Sequence, residues 1–146
     1  MREILIVGAG KSTSVLIDYL LGQADKEDLF LRIGDLDLEN ARKACNNHSK
    51  CEAFQLDVFK AESREPAIER ADIVISMLPA RFHIEVARDC VKFGKNMVTA
   101  SYISDEMKAL DEDVKAKGLV FMNEIGVDPG IDHMSAMQVI DRIRNK

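Results

Sequence analysis

Residues 4–13 read ILIVGAGKST, and two incompatible phosphate-binding turns overlap in them. "GKST" is how a mononucleotide P-loop ends, whereas "GAG" is how the glycine turn of a dinucleotide fold begins. A P-loop is written G-x-x-x-x-G-K-[ST], so its first glycine would have to stand where Leu5 does, inside the apolar run. No room is then left for a loop of backbone amides around a phosphate. The dinucleotide pattern needs a strand, G-x-G-x-x-G, a helix and an acidic residue closing the next strand. Gly8 and Gly10 follow the apolar run directly, and Asp35 closes the next one. The third glycine position holds Thr13, a departure at the place where glycine lets the helix pack closely on the strand. The order of strand, turn, helix, strand and acid selects the dinucleotide reading.

Composition is consistent with it. At 146 residues the chain is about one domain long. With 47% apolar and 31% charged residues it is neither a disordered chain nor a membrane span. Met1 is followed by Arg2, Glu3 and an apolar run of strand length, which is too short for a signal-peptide core, so the cytoplasm is the expected compartment. The net charge of −5, from 20 basic and 25 acidic residues, argues against nucleic acid or an anionic membrane as partner. A bound phosphate must therefore be held by local groups. Cys45, Cys51 and Cys90 match no zinc spacing, so they are expected to be reduced, partly buried thiols, with no metal site.

Beyond the opening stretch, strand-length apolar runs alternate with segments of helical period, the pattern of βαβ units in a parallel sheet. Strands are predicted at Glu3–Val7, Leu29–Gly34, Ala53–Leu56, Ile73–Met77, Met97–Ala100 and Leu119–Asn123. Helices are predicted at Ser12–Leu21, Leu38–Asn46, Ala67–Arg70, Phe82–Phe93, Asp105–Ala116 and Ile131–Arg144. Ile84, Ala87 and Val91 give the fourth helix an apolar face, and Met107, Leu110 and Val114 do so for the fifth. Both end at a glycine, Gly94 and Gly118, suited to a left-handed stop. The fold class is α/β, a doubly wound, mostly parallel Rossmann-like sheet with helices on both faces, forming one domain over 1–146. The last helix carries an apolar stripe of Met134, Met137, Ile140 and Ile143, from which further chain beyond residue 146 is expected.

Topology then assigns the cofactor contacts. Gly8 makes the tight turn, Gly10 lets the backbone approach a pyrophosphate, and the helix at Ser12 and Thr13 points its free amides at it. Lys11 and Ser12 either assist there or are a solvated lysine and a helix cap. Asp35 is placed to accept both ribose hydroxyls and repel a 2′-phosphate, which favours NAD over NADP. Its other reading, a turn residue before the next helix, suits Asp37 better as N-cap. Asp57 and Val58 flank the adenine or simply form a loop. Leu78 and Pro79 lie along the ribose and nicotinamide, unless Pro79 only shapes the turn.

The stretches SMLPARFH (76–83), VTASYIS (98–104) and FMNEIGVDPGIDHMSA (121–136) resemble the saccharopine dehydrogenase and saccharopine reductase family. The resemblance runs along essentially the whole chain and maps it onto the family's N-terminal dinucleotide-binding part. It implies reversible oxidation of the secondary amine of saccharopine at its glutamate side, giving glutamate and 2-aminoadipate semialdehyde, in lysine metabolism. A hydride then passes between nicotinamide and the carbon of an imine. It also implies a later domain that supplies most of the substrate pocket. A homodimer is a separate expectation for the complete protein.

Tyr102 and Asp128 match family positions at the reaction centre, so the resemblance makes them candidates for proton handling and substrate binding. Imine reduction needs a proton at nitrogen, which a Tyr or Asp can deliver. Read without the resemblance, they are sooner a buried hydroxyl and a turn aspartate ahead of Pro129 and Gly130. His133 either orients a substrate carboxylate or caps its helix. His83 is expected at the cleft edge and His48 in a polar loop, while Glu124 and Asp132 are read as braces. "KST" and the Asp35–Leu36 pair depart from the family's pattern, the latter replacing the more basic pair of NADP-using members. Two other readings stand beside this one: a nucleotide-binding module without turnover, and a related amine or amino-acid reductase.

Overall fold

A computed structural model describes residues 1–145. β1 (Arg2–Val7) leads through a short 3₁₀ turn, Lys11–Thr13, into α1 (Ser14–Gln23). β2 (Leu29–Asp35), α2 (Leu38–Cys45) and β3 (Cys51–Gln55) complete the first half. The second half runs α3 (Ala61–Arg70), β4 (Ile73–Ser76), a 3₁₀ turn at Ala80–Phe82, α4 (His83–Phe93) and β5 (Asn96–Thr99). α5 (Asp105–Ala109), α6 (Asp111–Ala116), β6 (Phe121–Met122) and α7 (Ile131–Arg144) follow.

All six strands are parallel, in the order β3-β2-β1-β4-β5-β6. The chain winds outward from β1 in one direction and from β4 in the other. The loops leaving these two strands diverge, which opens a crevice at the carboxyl end of the sheet. Strand alternation explains why both faces are covered. In β1, Leu5 and Val7 enter one apolar cluster with Ile68 of α3 and Val86, Ala87 and Cys90 of α4. Ile4 and Ile6 enter the other, with Ile17 and Leu21 of α1 and Ala41 of α2. A strand buried on both sides reads as a continuous apolar run, which is what ILIV is.

Several expectations need correction. The predicted helix from 105 to 116 is two helices: the Leu110 amide bonds to Met107 O, three residues back, which breaks the α register between α5 and α6. α3 starts at Ala61 rather than Ala67 and carries Pro66 inside it. The carbonyl that Pro66 leaves without a donor belongs to Glu62, an exposed residue. The buried face of α4 is Val86, Ala87 and Cys90 rather than Ile84, Ala87 and Val91. β6 keeps two residues of the predicted five. Cys45 and Cys51 are paired in a disulfide, against the expectation of three thiols. α2 ends at Cys45, and Asn46 and Asn47, both at positive φ, fold the chain back until the two Cα atoms are 5.5 Å apart. Cys90 alone is free, and burial pushes its thiol up to about 12. The stripe of α7 is legible but faces outward, with Met134, Met137, Ile140 and Ile143 all exposed.

Candidate dinucleotide and substrate site

At the end of β1 the backbone turns at Gly8, whose φ is +99°. A Cβ there would also meet Met77 O at 3.0 Å, so only glycine fits. A Cβ on Gly10 would meet nothing within 4 Å. The space before Gly10 is open, as a backbone that must approach a ligand requires. The Gly8 amide is bonded to Gly34 O, and the Thr13 amide to Gly10 O. Between them, the amides of Gly10, Lys11 and Ser12 have no partner among the described residues. Unpaired amides at a helix start are an anion site. Thr13 does not belong to it: the residue is fully buried, and its hydroxyl is without a hydrogen-bond partner. Its side chain fills the contact where a third glycine would bring helix and strand closer, so the cofactor assignment for Thr13 is withdrawn.

Asp35 closes β2 beside this turn. One carboxylate oxygen accepts from the Ala9 amide at 2.7 Å and the other from the Asp37 amide at 2.9 Å. The carboxylate thus fixes the glycine turn and still has lone pairs for ribose hydroxyls. Asp37 caps α2, accepting from the Glu39 amide at 3.0 Å, as expected. Val58 is 8% exposed and packs in the core, so its side chain does not flank an adenine. Asp57 accepts from the Phe59 amide at 3.1 Å and pairs with Lys60 at 3.4 Å. It holds its own loop, which is the second of the two readings given for it.

Across the switch point, the ends of β4 and β5 and the 123–130 loop enclose a cavity of about 640 Å³. Ser12, Leu78, Tyr102 and Asp128 are in its wall, so the structure brings both cofactor-side and reaction-side candidates to one place. Pro79 starts the 3₁₀ turn and does not line the cavity. Tyr102 is 61% exposed rather than buried. Its hydroxyl donates to Asp128 Oδ1 at 2.6 Å. That hydrogen bond, with the negative charges around it, raises the phenol above its ordinary value and keeps it protonated. Glu124 positions the two loops: its amide donates to Ser101 O at 3.1 Å, and its carboxylate accepts from the Ile103 amide at 3.1 Å. Gly130 closes the loop at φ +150°, where a Cβ would overlap the Gly126 carbonyl. Asp132 accepts from the Gly130 amide at 3.0 Å and contacts His133 Nδ1 at 2.7 Å. Both are braces, and His133 lies outside the cavity wall.

His83 is more deeply buried than sequence reasoning had it. It is 3% exposed and stands in the cavity wall. Its ring nitrogens lie 2.8 Å from Ser76 Oγ and 2.7 Å from Ser101 Oγ. Burial lowers its pKa, so the imidazole is neutral at pH 7. The signal available was periodicity: position 83 is on the same face of α4 as Ala87 and Cys90.

Comparison with known proteins gives the family. The family model described as saccharopine dehydrogenase NADP binding domain matches residues 4–122. The chain belongs to that family. A saccharopine dehydrogenase [NADP(+), L-glutamate-forming] of Saccharomyces cerevisiae is 33% identical over 142 residues, covering 97% of this chain and 31% of its own length. An alpha-aminoadipic semialdehyde synthase of Arabidopsis thaliana is 35% identical over 155 residues, covering 94% of this chain and 15% of its own length. The apo saccharopine dehydrogenase (L-Glu forming) of Saccharomyces cerevisiae superposes with a TM-score of 0.88 at 31% identity, over 99% of this chain and 32% of that one.

This member of the saccharopine dehydrogenase family therefore spans between about a seventh and a third of the relatives it matches. The family match contains the glycine turn, Asp35, His83 and Tyr102, and the yeast structure extends the likeness through the Asp128 loop. The domain's cofactor is a nicotinamide dinucleotide. The unpaired amides, the open space at Gly10 and the spare lone pairs of Asp35 fit such a group. Among the described residues, no helix is long and apolar enough to cross a membrane.

Proposed function

We propose that this chain is the dinucleotide-binding domain of a saccharopine dehydrogenase-like oxidoreductase acting on the CH–NH group of an amino-acid substrate. The carrying observation is that Ser12, which follows the glycine turn, and the Tyr102–Asp128 pair line one crevice at the strand switch point. Gly10, Lys11 and Ser12 hold the diphosphate through their free backbone amides, Gly8 makes the turn that presents them, and Asp35 holds the ribose. A bound nicotinamide supplies or accepts hydride at its ring. Tyr102 holds a proton at its hydroxyl, and Asp128 keeps that hydroxyl pointed along the cavity wall. The family's reaction, with saccharopine on one side and glutamate plus 2-aminoadipate semialdehyde on the other, is the substrate chemistry of this reading. A homodimer and a cytoplasmic location are its remaining parts, although the mouse relative is named mitochondrial.

The finer choice is between NAD and NADP. The family description and the fungal relatives name NADP. The residues of this chain support NAD: Asp35 puts a negative charge where a 2′-phosphate would sit, and Leu36 and Asp37 add no cation beside it. Titrating the chain with NADH and NADPH tests both levels. Binding of neither removes the functional reading, and tighter NADPH returns the chain to the family's cofactor. Asp35→Asn keeps an acceptor for the Ala9 amide but drops the charge. It should shift the NADH:NADPH preference toward NADPH by about tenfold, on the order of 1.4 kcal/mol.

A further inference from the structure

Cys45 and Cys51 meet at the rim of the sheet, and the backbone between them explains how. Cys45 is the last residue of α2 and is 5% exposed; Cys51 is the first residue of the edge strand β3 and is half-buried. The Asn46 amide bonds to Arg42 O at 3.0 Å, the His48 amide to Cys45 O at 2.9 Å and the Cys51 amide to His48 O at 3.1 Å. His48 Nδ1 accepts from the Lys50 amide at 3.1 Å, and Asn46 and Asn47 both hold positive φ. None of these contacts involves a sulfur, yet together they hold the two Cα atoms 5.5 Å apart. Reduction therefore leaves two thiols facing each other rather than two loose ends.

Disulfides that serve as staples belong to small domains with too little core. This domain has an apolar cluster on each face of its sheet, so the bond is not needed in that role. Its two sulfurs also differ. Cys45 is buried at the carbonyl end of α2, where the helix dipole opposes a thiolate. Cys51 is the more exposed, and Lys50 precedes it. The neighbouring acid, Glu52, alternates to the other face of the sheet, where Arg32 and Arg70 hold its carboxylate at 3.0 and 3.7 Å. Access and charge thus both make Cys51 the better nucleophile. Cys90 does not compete, being buried in α4 with its thiol pushed up to about 12.

We propose that Cys45–Cys51 is a reversible thiol–disulfide exchange site for a low-molecular-weight thiol such as glutathione, with Cys51 meeting the partner and Cys45 resolving the mixed disulfide. In the oxidising direction the Cys51 thiolate attacks one sulfur of glutathione disulfide, whose S–S bond breaks, and one glutathione leaves as thiolate. Cys45 then gives its proton to water, attacks Cys51 Sγ and displaces the second glutathione. Two protein thiols are oxidised to a disulfide, and glutathione disulfide is reduced to two glutathiones. Reduction runs back through the same mixed disulfide on Cys51. The bond ties the far end of a unit whose crevice end carries Asp35. At that end Asp35 accepts from the Asp37 amide at the start of α2, and Gln55 at the end of β3 donates to Leu36 O at 3.1 Å. Exchange is therefore a latch on the stability of the β2–α2–β3 unit.

Glutathione disulfide added to the reduced, folded chain tests the chemistry, with acid quenching and peptide mass mapping. The parent should close its own disulfide and retain no glutathione. Cys45→Ser should accumulate one glutathione on Cys51, and Cys51→Ser should take one on Cys45 about tenfold more slowly. Equal rates at the two cysteines, faster reaction at Cys45, or a parent that keeps glutathione overturns the proposal.

A second measurement needs no variant: an excess of reduced glutathione is added to the oxidised, folded parent. The bond should open without denaturant. A bond that opens only after urea has unfolded the chain is a staple, and the exchange role falls. Opening it should lower the melting temperature by about 5–10 °C and speed amide exchange across residues 38–55. A melt and an exchange pattern that stay the same in both forms would overturn the latch.

Discussion

Gly8 is the residue on which the site turns, because two separate constraints exclude a side chain there: φ is +99°, and a Cβ would press on Met77 O at 3.0 Å. Gly8→Ala should cost about 1–3 kcal/mol, read by urea unfolding, and should abolish NADH binding in a titration. Unaltered NADH affinity would place the diphosphate elsewhere. Gly8 and Asp35 were legible in the sequence because a motif fixes them by spacing. Thr13 was misread for the same reason, since the motif gives a position but not the direction of a side chain that ends fully buried. Tyr102 and Asp128 came from resemblance, and their mutual contact required the loops to be folded. That contact raises the Tyr102 phenol, so ultraviolet titration should show one tyrosine ionising late. Asp128→Ala removes the acceptor and its charge, and the late phase should move down in pH. A late phase that stays put would mean that the pair is not formed in solution.

Among the elements, α3 and α4 are joined by a buried ion pair that also shapes the site. Arg64 is bonded to Asp89 at 2.6 Å, with side chains 7% and 8% exposed, and also to the Val58 carbonyl in the loop after β3. Removing one partner strands a buried charge, so Arg64→Met should cost about 3–5 kcal/mol. Adding Asp89→Leu should recover much of it, and a double-mutant cycle by urea unfolding reads the coupling. Additive losses would show that the pair is not coupled. None of this was legible in the sequence: "AESREPAIER" looks like a solvated segment broken by proline, and Arg64 is buried only because α4 lies across it. The Cys45–Cys51 link was equally hidden. It depends on two asparagines at positive φ at the end of α2, and spacing alone suggested nothing. Thiol titration of the unfolded chain should give one reactive group without reductant and three with it. Three groups without reductant would mean that the Cys45–Cys51 bond is not formed.

For the whole molecule, the alternation of apolar runs and helical periods carried the doubly wound sheet, since βαβ units leave few other topologies. The crevice follows from that topology rather than from any one residue, because β1 and β4 are neighbours whose chains wind opposite ways. A dinucleotide spanning it would contact both halves, the Gly8 turn on one side and the β4–β5 ends on the other. Binding should therefore stabilise the domain as a unit rather than one loop. At a concentration of NADH a hundred times its dissociation constant, linkage gives about 2.7 kcal/mol. For a domain of this size that is roughly a 5–10 °C rise in melting temperature. The rise should appear in a single cooperative transition and be absent in Gly8→Ala at the same NADH concentration. An equal rise in that variant would put the ligand outside the crevice. A second, unshifted transition would mean that the two halves unfold separately and that the ligand touches only one.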